Sequence, residues 1–161
     1  MDVDDDAWQI FWADVNEESS MASWAQRISR VVAGILALIA LVALVAFLSY
    51  WSQADGLVGP TGIMPFDNEL NSVETAVENN PDLTAKEWLL PTLLWWSPTW
   101  DTFEMLLGIG ALFSVLLIAG VIPAVATLGI WACYLSVMVV GSPFLSFQWD
   151  ILLLETCLLS V

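Results

Sequence analysis

Three polar side chains, two acids and an amide, interrupt an otherwise apolar segment near the end of the sequence. Such groups can carry protons or bind a ligand. The segment covers residues 144–155 and contains Gln148, Asp150 and Glu155. An acid costs about 2.5–3.5 kcal/mol at the centre of a membrane-inserted helix, so two acids in one short segment require an explanation. Carboxylates placed in this way relay protons, bind a ligand or tie helices together.

The spacing of the three side chains predicts different surroundings for the two acids. A helix that begins near Pro143, with Ser142 as its cap, places Asp150 about 10 Å and Glu155 about 18 Å along its axis. On this helix Gln148 and Glu155 share a face, whereas Asp150 lies about 140° around the axis from Glu155. We therefore predict an interfacial or capping role for Asp150. Glu155 is expected near the middle of the membrane, protonated or hydrogen-bonded to a partner.

Three interpretations of these side chains remain open at this stage. They tie helices together through backbone groups, Trp side chains or hydroxyls such as those of Ser114, Thr127 and Ser136; they form a proton-relay or ligand site; or they line a groove for a client protein. All Lys and Arg residues lie outside the apolar runs. An ionic partner for the acids must therefore come from a ligand, from another chain or from a missing region.

Composition places the chain among integral membrane proteins. It has 161 residues, of which 58% are hydrophobic and 13% charged, and a mean hydropathy of +0.76. The formal net charge is −15, with only 3 Lys and Arg, so no basic patch exists and nucleic acid is excluded as a partner. Dense surface carboxylates repel weakly at very high salt, and a halophilic source would explain such acidity.

Histidine is absent, which removes the commonest general base and the commonest metal ligand. Cys133 and Cys157 both lie within apolar runs, where a thiol behaves as a small hydrophobic group. We therefore predict no catalytic residue, no metal site and no cofactor. Enzyme activity is not what these residues favour.

Apolar runs predict an all-α, polytopic helical membrane protein. The transmembrane module covers residues 27–161 and has four spans, at about residues 31–50, 103–119, 121–140 and 144–161. Gly120 and Pro123 separate the second span from the third. Arg27 and Arg30 precede the first span, whereas the acidic outer loop of residues 51–102 offers only Lys86. The positive-inside rule therefore predicts a cytoplasmic N-terminus.

Residues 1–26 form an acidic arm ahead of this module. Within the arm Trp8, Phe11, Trp12 and Val15 follow the spacing of one helical face. This pattern predicts a short amphipathic helix that lies in the membrane interface or against the bundle.

The outer loop begins with a segment rich in turn-forming residues. Its glycines and prolines are Gly56, Gly59, Pro60, Gly62 and Pro65. They predict a specific set of tight turns that caps the first span. No Lys or Arg follows as a phosphate-binding loop requires, so that reading is excluded.

The rest of the loop is predicted to contain two helices. Leu70, Val73 and Val77 mark an amphipathic helix, and a shorter one covers about residues 83–90. Trp95, Trp96 and Trp100 then return the chain to the membrane surface.

Two segments resemble the lipase maturation factor family. The first is the turn-rich segment of residues 56–65, and the second, residues 144–155, contains Phe147, Gln148, Trp149, Asp150 and Glu155. The resemblance covers the N-terminal transmembrane part of a family member. Because family members continue into further helices and a large soluble domain, we expect the chain to be truncated. The resemblance implies, in animals, an endoplasmic-reticulum factor that helps secreted dimeric lipases to fold and assemble.

The resemblance therefore implies a membrane-embedded maturation or assembly factor for secreted or membrane clients. The alternatives are a fragment of a membrane enzyme or transporter that uses Asp150 and Glu155 for proton or ligand handling, and a structural module that is inert without its missing domain. Expected partners are the lipid bilayer and secreted lipase-like clients, with a second copy or other membrane subunits in the assembly. Such a multi-pass protein would lie in the cell membrane of a prokaryote or the endoplasmic-reticulum membrane of a eukaryote.

Overall fold

The computed structural model describes the backbone of residues 3–80 and 85–161; the side chains of residues 3–20 and 22 are not described. In these ranges the regular elements are all helical. The predicted aromatic face of Trp8, Phe11, Trp12 and Val15 lies outside the described side chains. The chain divides into two compact units, Met1–Ile35 and Leu36–Val161.

The first helix, α1, runs over Val3–Val58 and contributes to both units. In the first unit, the guanidinium of Arg27 lies 5.6 Å from the centre of the Trp24 ring, a cation–π contact. In the second unit, α1 continues to Val58, eight residues beyond the predicted end of the first span at residue 50. The helix continues past Ser52 and Gln53, because neither residue stops a helix.

Tight turns follow α1 and close its carboxyl end, as the turn-rich segment predicted. The backbone N–H groups of Gly59, Ile63 and Met64 donate to carbonyls of Ala54, Gly56 and Leu57, at 2.9–3.0 Å. These bonds satisfy carbonyls that the end of a helix leaves without a partner. A Cβ at Gly59 would lie 2.4 Å from the carbonyl oxygen of Asp55, so this turn requires glycine.

Two helices of the loop region follow the sequence pattern. Helix α2 runs over Phe66–Asn79 and buries Phe66 and Leu70, which confirms the predicted amphipathic helix. Helix α3 is a single turn, Lys86–Leu89; residues 81–84 are not described, so the predicted start at about residue 83 lies outside the described residues. A 3₁₀ turn, Leu93–Trp96, is tied to the bundle by the Thr92 hydroxyl, which donates to the Ser136 carbonyl at 3.0 Å.

Helices α4 and α5 form an antiparallel hairpin, as the break at Gly120 and Pro123 predicted. Helix α4 covers Trp100–Ile118, and α5 covers Pro123–Val140. Gly120, with φ of 70°, takes the left-handed conformation in the turn between them. Pro123 occupies the first turn of α5, where its missing N–H costs nothing.

The last helix, α6, runs over Gln148–Leu159, so the predicted start near Pro143 was wrong. Its 12 residues extend about 18 Å, which is less than the roughly 30 Å of a bilayer core. Among the described residues, three helices are long and apolar enough to cross a membrane: Ser23–Val58, Trp100–Ile118 and Pro123–Val140. The all-α, multi-pass fold is therefore confirmed, whereas the count of four spans is not.

Aromatic side chains form much of the core of the second unit. Phe66 of α2 stacks on Phe103 of α4 with ring centres 5.5 Å apart, and Trp100 stacks on Phe103 at 5.3 Å. On the other side of the bundle, Phe47 of α1 meets Tyr134 of α5 edge to face at 5.4 Å. These contacts pack α2 against α4 and α1 against α5.

Candidate functional site

Asp150 occupies the first turn of α6 and is one of the few buried polar residues, with 9% of its surface exposed. Its Oδ2 accepts the backbone N–H of Phe147 at 3.1 Å, so the carboxylate caps the helix. A negative charge in the first turn is also stabilised by the helix dipole. The capping role predicted for Asp150 is therefore the one that the structure shows.

Tyr134 is the partner of Asp150 across the bundle. Its hydroxyl donates to Oδ1 of Asp150 at 2.5 Å, a short bond to a charged acceptor. Both residues are buried, and the bond joins the middle of α5 to the start of α6. Asp150 thus fixes where α6 begins and also holds it against α5.

A cavity of about 250 Å³ opens beside this pair, between α1, α5 and the start of α6. Its polar lining consists of Ser49, Tyr50, Gln53, Tyr134 and Asp150. The Tyr50 hydroxyl is buried and has no hydrogen-bond partner, alone in this respect among the buried side-chain polar atoms of the described residues. Gly141 makes room for this hydroxyl, since a Cβ there would lie 2.7 Å from its oxygen.

Apolar side chains complete the wall of the cavity, and they come from both segments that carry the family resemblance. Leu57 belongs to the turn-rich segment, and Phe144 and Leu145 belong to the segment that precedes α6. About 90 residues separate the two segments in the sequence, yet they meet at this cavity. The cavity is therefore the place where the two family-like segments come together.

The other residues predicted in the last helix lie away from the cavity. Phe147, Gln148, Trp149 and Glu155 are all exposed, and Trp149 has 74% of its surface free. Within the described part of the chain, no hydrogen bond or ion pair reaches the Glu155 carboxylate. Because α6 begins at Gln148, Glu155 lies only about 10 Å along it, on the face opposite the buried stripe. The described residues give Glu155 no partner, and its protonation or its hydrogen bond to a partner stays a prediction.

The predicted residues of the turn-rich segment shape the turns after α1 and do not line the cavity. Gly56 lies exposed in the last turn of α1, Gly59 is buried beneath it, and Gly62 and Pro65 are half-buried. Pro60 is exposed. None of these five lines the cavity; the contribution of the segment comes from its neighbour Leu57.

Sequence reasoning missed the two tyrosines. The hydroxyls it named, those of Ser114, Thr127 and Ser136, donate instead to carbonyls four residues earlier in their own helices. One signal could have identified the actual partner: Tyr50 and Tyr134 are the only tyrosines in the chain. Both lie inside apolar helices, where a hydroxyl requires a partner.

This arrangement can hold hydrogen-bond donors, and it offers little else chemically. It contains one carboxylate, two phenol groups, a hydroxyl and an amide, and it contains no cysteine or histidine. In the described residues no three His, Cys, Asp or Glu side chains gather as a metal site requires. The cavity can therefore bind a group that donates hydrogen bonds.

Comparison with known proteins identifies the family. Residues 30–161 match the lipase maturation factor transmembrane domain. The chain is 39% identical over 118 residues to lipase maturation factor 2 of Homo sapiens, a match that covers 69% of this chain and 16% of the relative. Identity to lipase maturation factor 2 of Xenopus tropicalis is 37%, also over 69% of this chain and 16% of the relative.

A second member of the family gives a similar result. Lipase maturation factor 1 of Mus musculus is 30% identical over 116 residues, which cover 69% of this chain and 20% of the relative. The matched region thus spans at most a fifth of these relatives, and no solved structure matches the chain. Since the transmembrane-domain match covers well over half of the residues, the chain belongs to the lipase maturation factor family.

Proposed function

We propose that this chain is the membrane-embedded part of a maturation or assembly factor for secreted or membrane client proteins. The observation that carries the proposal is the match to the lipase maturation factor transmembrane domain over residues 30–161. The relatives are named for the maturation of lipases. Secreted lipase-like proteins are accordingly the first clients to test.

The cavity supports the proposal, because both family-like segments contribute to it. The turn-rich segment and the segment before α6 both contribute to its wall, through Leu57 and through Phe144 and Leu145. Asp150 fixes the start of α6 by its bonds to Phe147 and Tyr134. These two bonds hold the cavity wall in one arrangement, which favours a binding surface at this end of the bundle.

Gene deletion and complementation test the proposal. Deleting the full gene in its source organism should lower secreted hydrolase activity without lowering the hydrolase transcript. The gene with Asp150→Ala should fail to restore secretion, whereas the gene with Glu155→Gln should restore it. Quantifying each variant in the membrane fraction separates lost function from lost protein. Unchanged secretion of every hydrolase after deletion contradicts a maturation role.

The second candidate is proton or ligand handling by a membrane enzyme or transporter. Its two acids, Asp150 and Glu155, lie in different surroundings. Asp150 lines the cavity, which supports a ligand there, whereas Glu155 is exposed and lies outside it. A relay that requires both acids predicts loss of activity in Glu155→Gln at normal folded yield. Full activity of that variant would contradict a relay that needs both acids and would leave only a ligand site at Asp150.

The third candidate is a structural module that is inert without further domains. It predicts that this chain, expressed alone in the deletion strain, restores no secretion although it folds. Restoration by residues 1–161 alone contradicts it.

A further inference from the structure

Helix capping and helix packing do not explain the polar cavity beside Asp150. Helix capping needs only the bond from Phe147, and helix packing needs only the bond from Tyr134. Neither role explains a space of about 250 Å³ with further polar side chains around it. One water molecule takes up about 30 Å³ in the liquid, so this space has room for a larger occupant.

Three of the polar side chains around the cavity offer oxygens that can accept hydrogen bonds. The Tyr134 hydroxyl donates its hydrogen bond to Asp150, which leaves the lone pairs of the phenol oxygen free to accept. The Gln53 side chain donates its Nε2 to the Ser49 carbonyl at 3.1 Å, which leaves its amide oxygen free. Both Asp150 oxygens are acceptors and retain lone pairs. An occupant that donates hydrogen bonds therefore fits this lining.

The charge of Asp150 lacks a cation. Both of its oxygens accept hydrogen bonds, one from the Phe147 N–H and one from the Tyr134 hydroxyl. None of the residues that line the cavity is basic. Lys86 is paired with Glu74 at 3.0 Å. A buried carboxylate without a cation attracts a positively charged occupant and repels an anionic one.

Tyr50 supplies an independent observation. With 7% of its surface exposed, it is more than nine-tenths buried, and its hydroxyl has no partner in the described residues. Leaving a buried hydroxyl unpaired costs about 1–3 kcal/mol, so such groups normally meet a partner outside the protein. Its ring, with those of Tyr134 and Phe144, also gives the cavity aromatic walls that favour a cation.

We propose that this cavity binds a primary ammonium group through Asp150 and Tyr50, with an amine-bearing phospholipid headgroup as its source. The position of the cavity supports a headgroup. Leu57 lies one residue before the end of α1 at Val58, and Phe144 and Leu145 lie in the segment between α5 and α6, so the cavity reaches the ends of these helices. The proposal does not depend on the maturation role.

Lipid retention by the purified full chain tests the proposal. The chain is reconstituted in nanodiscs of phosphatidylethanolamine, phosphatidylcholine and phosphatidylglycerol in equal parts, and bound lipid is measured by native mass spectrometry. We expect phosphatidylethanolamine to be retained about tenfold over phosphatidylglycerol, the ratio that one charge-assisted hydrogen bond provides. Equal retention of the three lipids overturns the proposal. Retention of phosphatidylcholine equal to that of phosphatidylethanolamine also overturns it, because a trimethylammonium group has no N–H to donate.

Three variants locate the effect. Asp150→Asn keeps an oxygen for the Phe147 N–H and removes the charge, so the preference for phosphatidylethanolamine should disappear while α6 stays capped. Tyr50→Phe should lower the preference several-fold. Glu155→Gln, an acid on the same helix outside the cavity, is the matched control and should retain it. An unchanged preference in Asp150→Asn refutes the assignment whatever the other variants do.

Free ethanolamine distinguishes a lipid headgroup from a soluble amine as the source of the ammonium group. In discs of phosphatidylcholine alone, ethanolamine should raise the Tm of the wild type only if a soluble amine enters the cavity. A rise that Asp150→Asn lacks supports the ammonium site with a free amine as its ligand. No rise, together with retained phosphatidylethanolamine, supports the lipid headgroup.

Discussion

Asp150 and Glu155 lie five residues apart on α6, but one side chain is buried and the other is exposed. Asp150 is buried, caps the helix and accepts the hydroxyl of Tyr134. Glu155 is exposed on the far face, although its neighbours Leu154 and Cys157 are buried. The same chemical group in the same apolar segment is therefore part of the structure at one position and on its surface at the other.

The difference follows from where α6 begins. With Gln148 as the first residue, Asp150 is in the first turn, where free N–H groups and the helix dipole stabilise a carboxylate. The buried stripe then runs through Asp150, Leu153, Leu154 and Cys157, which follow a helical i, i+3, i+4, i+7 spacing. Glu155 lies off this stripe. An acid in an apolar segment therefore indicates a site only after the helix start and its buried face are known.

Replacing the two acids by alanine should produce the largest contrast. Asp150→Ala removes the cap of α6 and leaves the Tyr134 hydroxyl buried without an acceptor, so we expect a loss of about 2–4 kcal/mol in the free energy of unfolding. Glu155→Ala should leave it nearly unchanged. Unfolding in detergent, followed by the fluorescence of the 10 tryptophans, measures both. Equal losses would show that the two acids are equivalent after all.

Much of the fold was predictable because its signals are local. The break between α4 and α5 followed from Gly120 and Pro123, because both residue types disfavour the interior of a helix. The turns after α1 followed from the glycines and prolines of residues 56–65, and α2 followed from the spacing of its apolar residues. In each case the residues that determine the structure lie within a few positions of it.

The site was less predictable because its contacts are distant in sequence. Tyr134 meets Asp150 across 16 residues, and Tyr50 joins the same cavity from α1. No periodicity of a single helix encodes such a meeting. The start of α6 was mispredicted for a different reason: Pro143 can begin a helix, but the acid in the first turn competes with it as a start signal, and the observed helix follows the acid.

Tyr134→Phe should give an intermediate effect, since it removes one of the two bonds to Asp150. We expect a loss of about 1–2 kcal/mol in the free energy of unfolding, as one buried bond to a charged group is removed while the ring contact with Phe47 remains. In a double-mutant cycle with Asp150→Asn, a coupling of about 1 kcal/mol is expected. The same cycle between Tyr134→Phe and Glu155→Gln is the control and should show additivity. Additive losses in the first cycle would mean that the bond contributes nothing to stability.

Tyr50→Phe should have the smallest effect on stability of these variants. It separates a group that lines the cavity from one that holds the bundle together, as Asp150 does. Its hydroxyl has no partner among the described residues, so its removal deletes an unpaired polar group while the ring keeps its place beside Phe103. In detergent without amine lipids, we expect the free energy of unfolding to be unchanged or slightly higher. In discs that contain phosphatidylethanolamine, the wild type should gain stability that this variant lacks. A loss of stability in detergent would mean that water or protein already satisfies this hydroxyl, which would remove one of the two groups assigned to the ammonium.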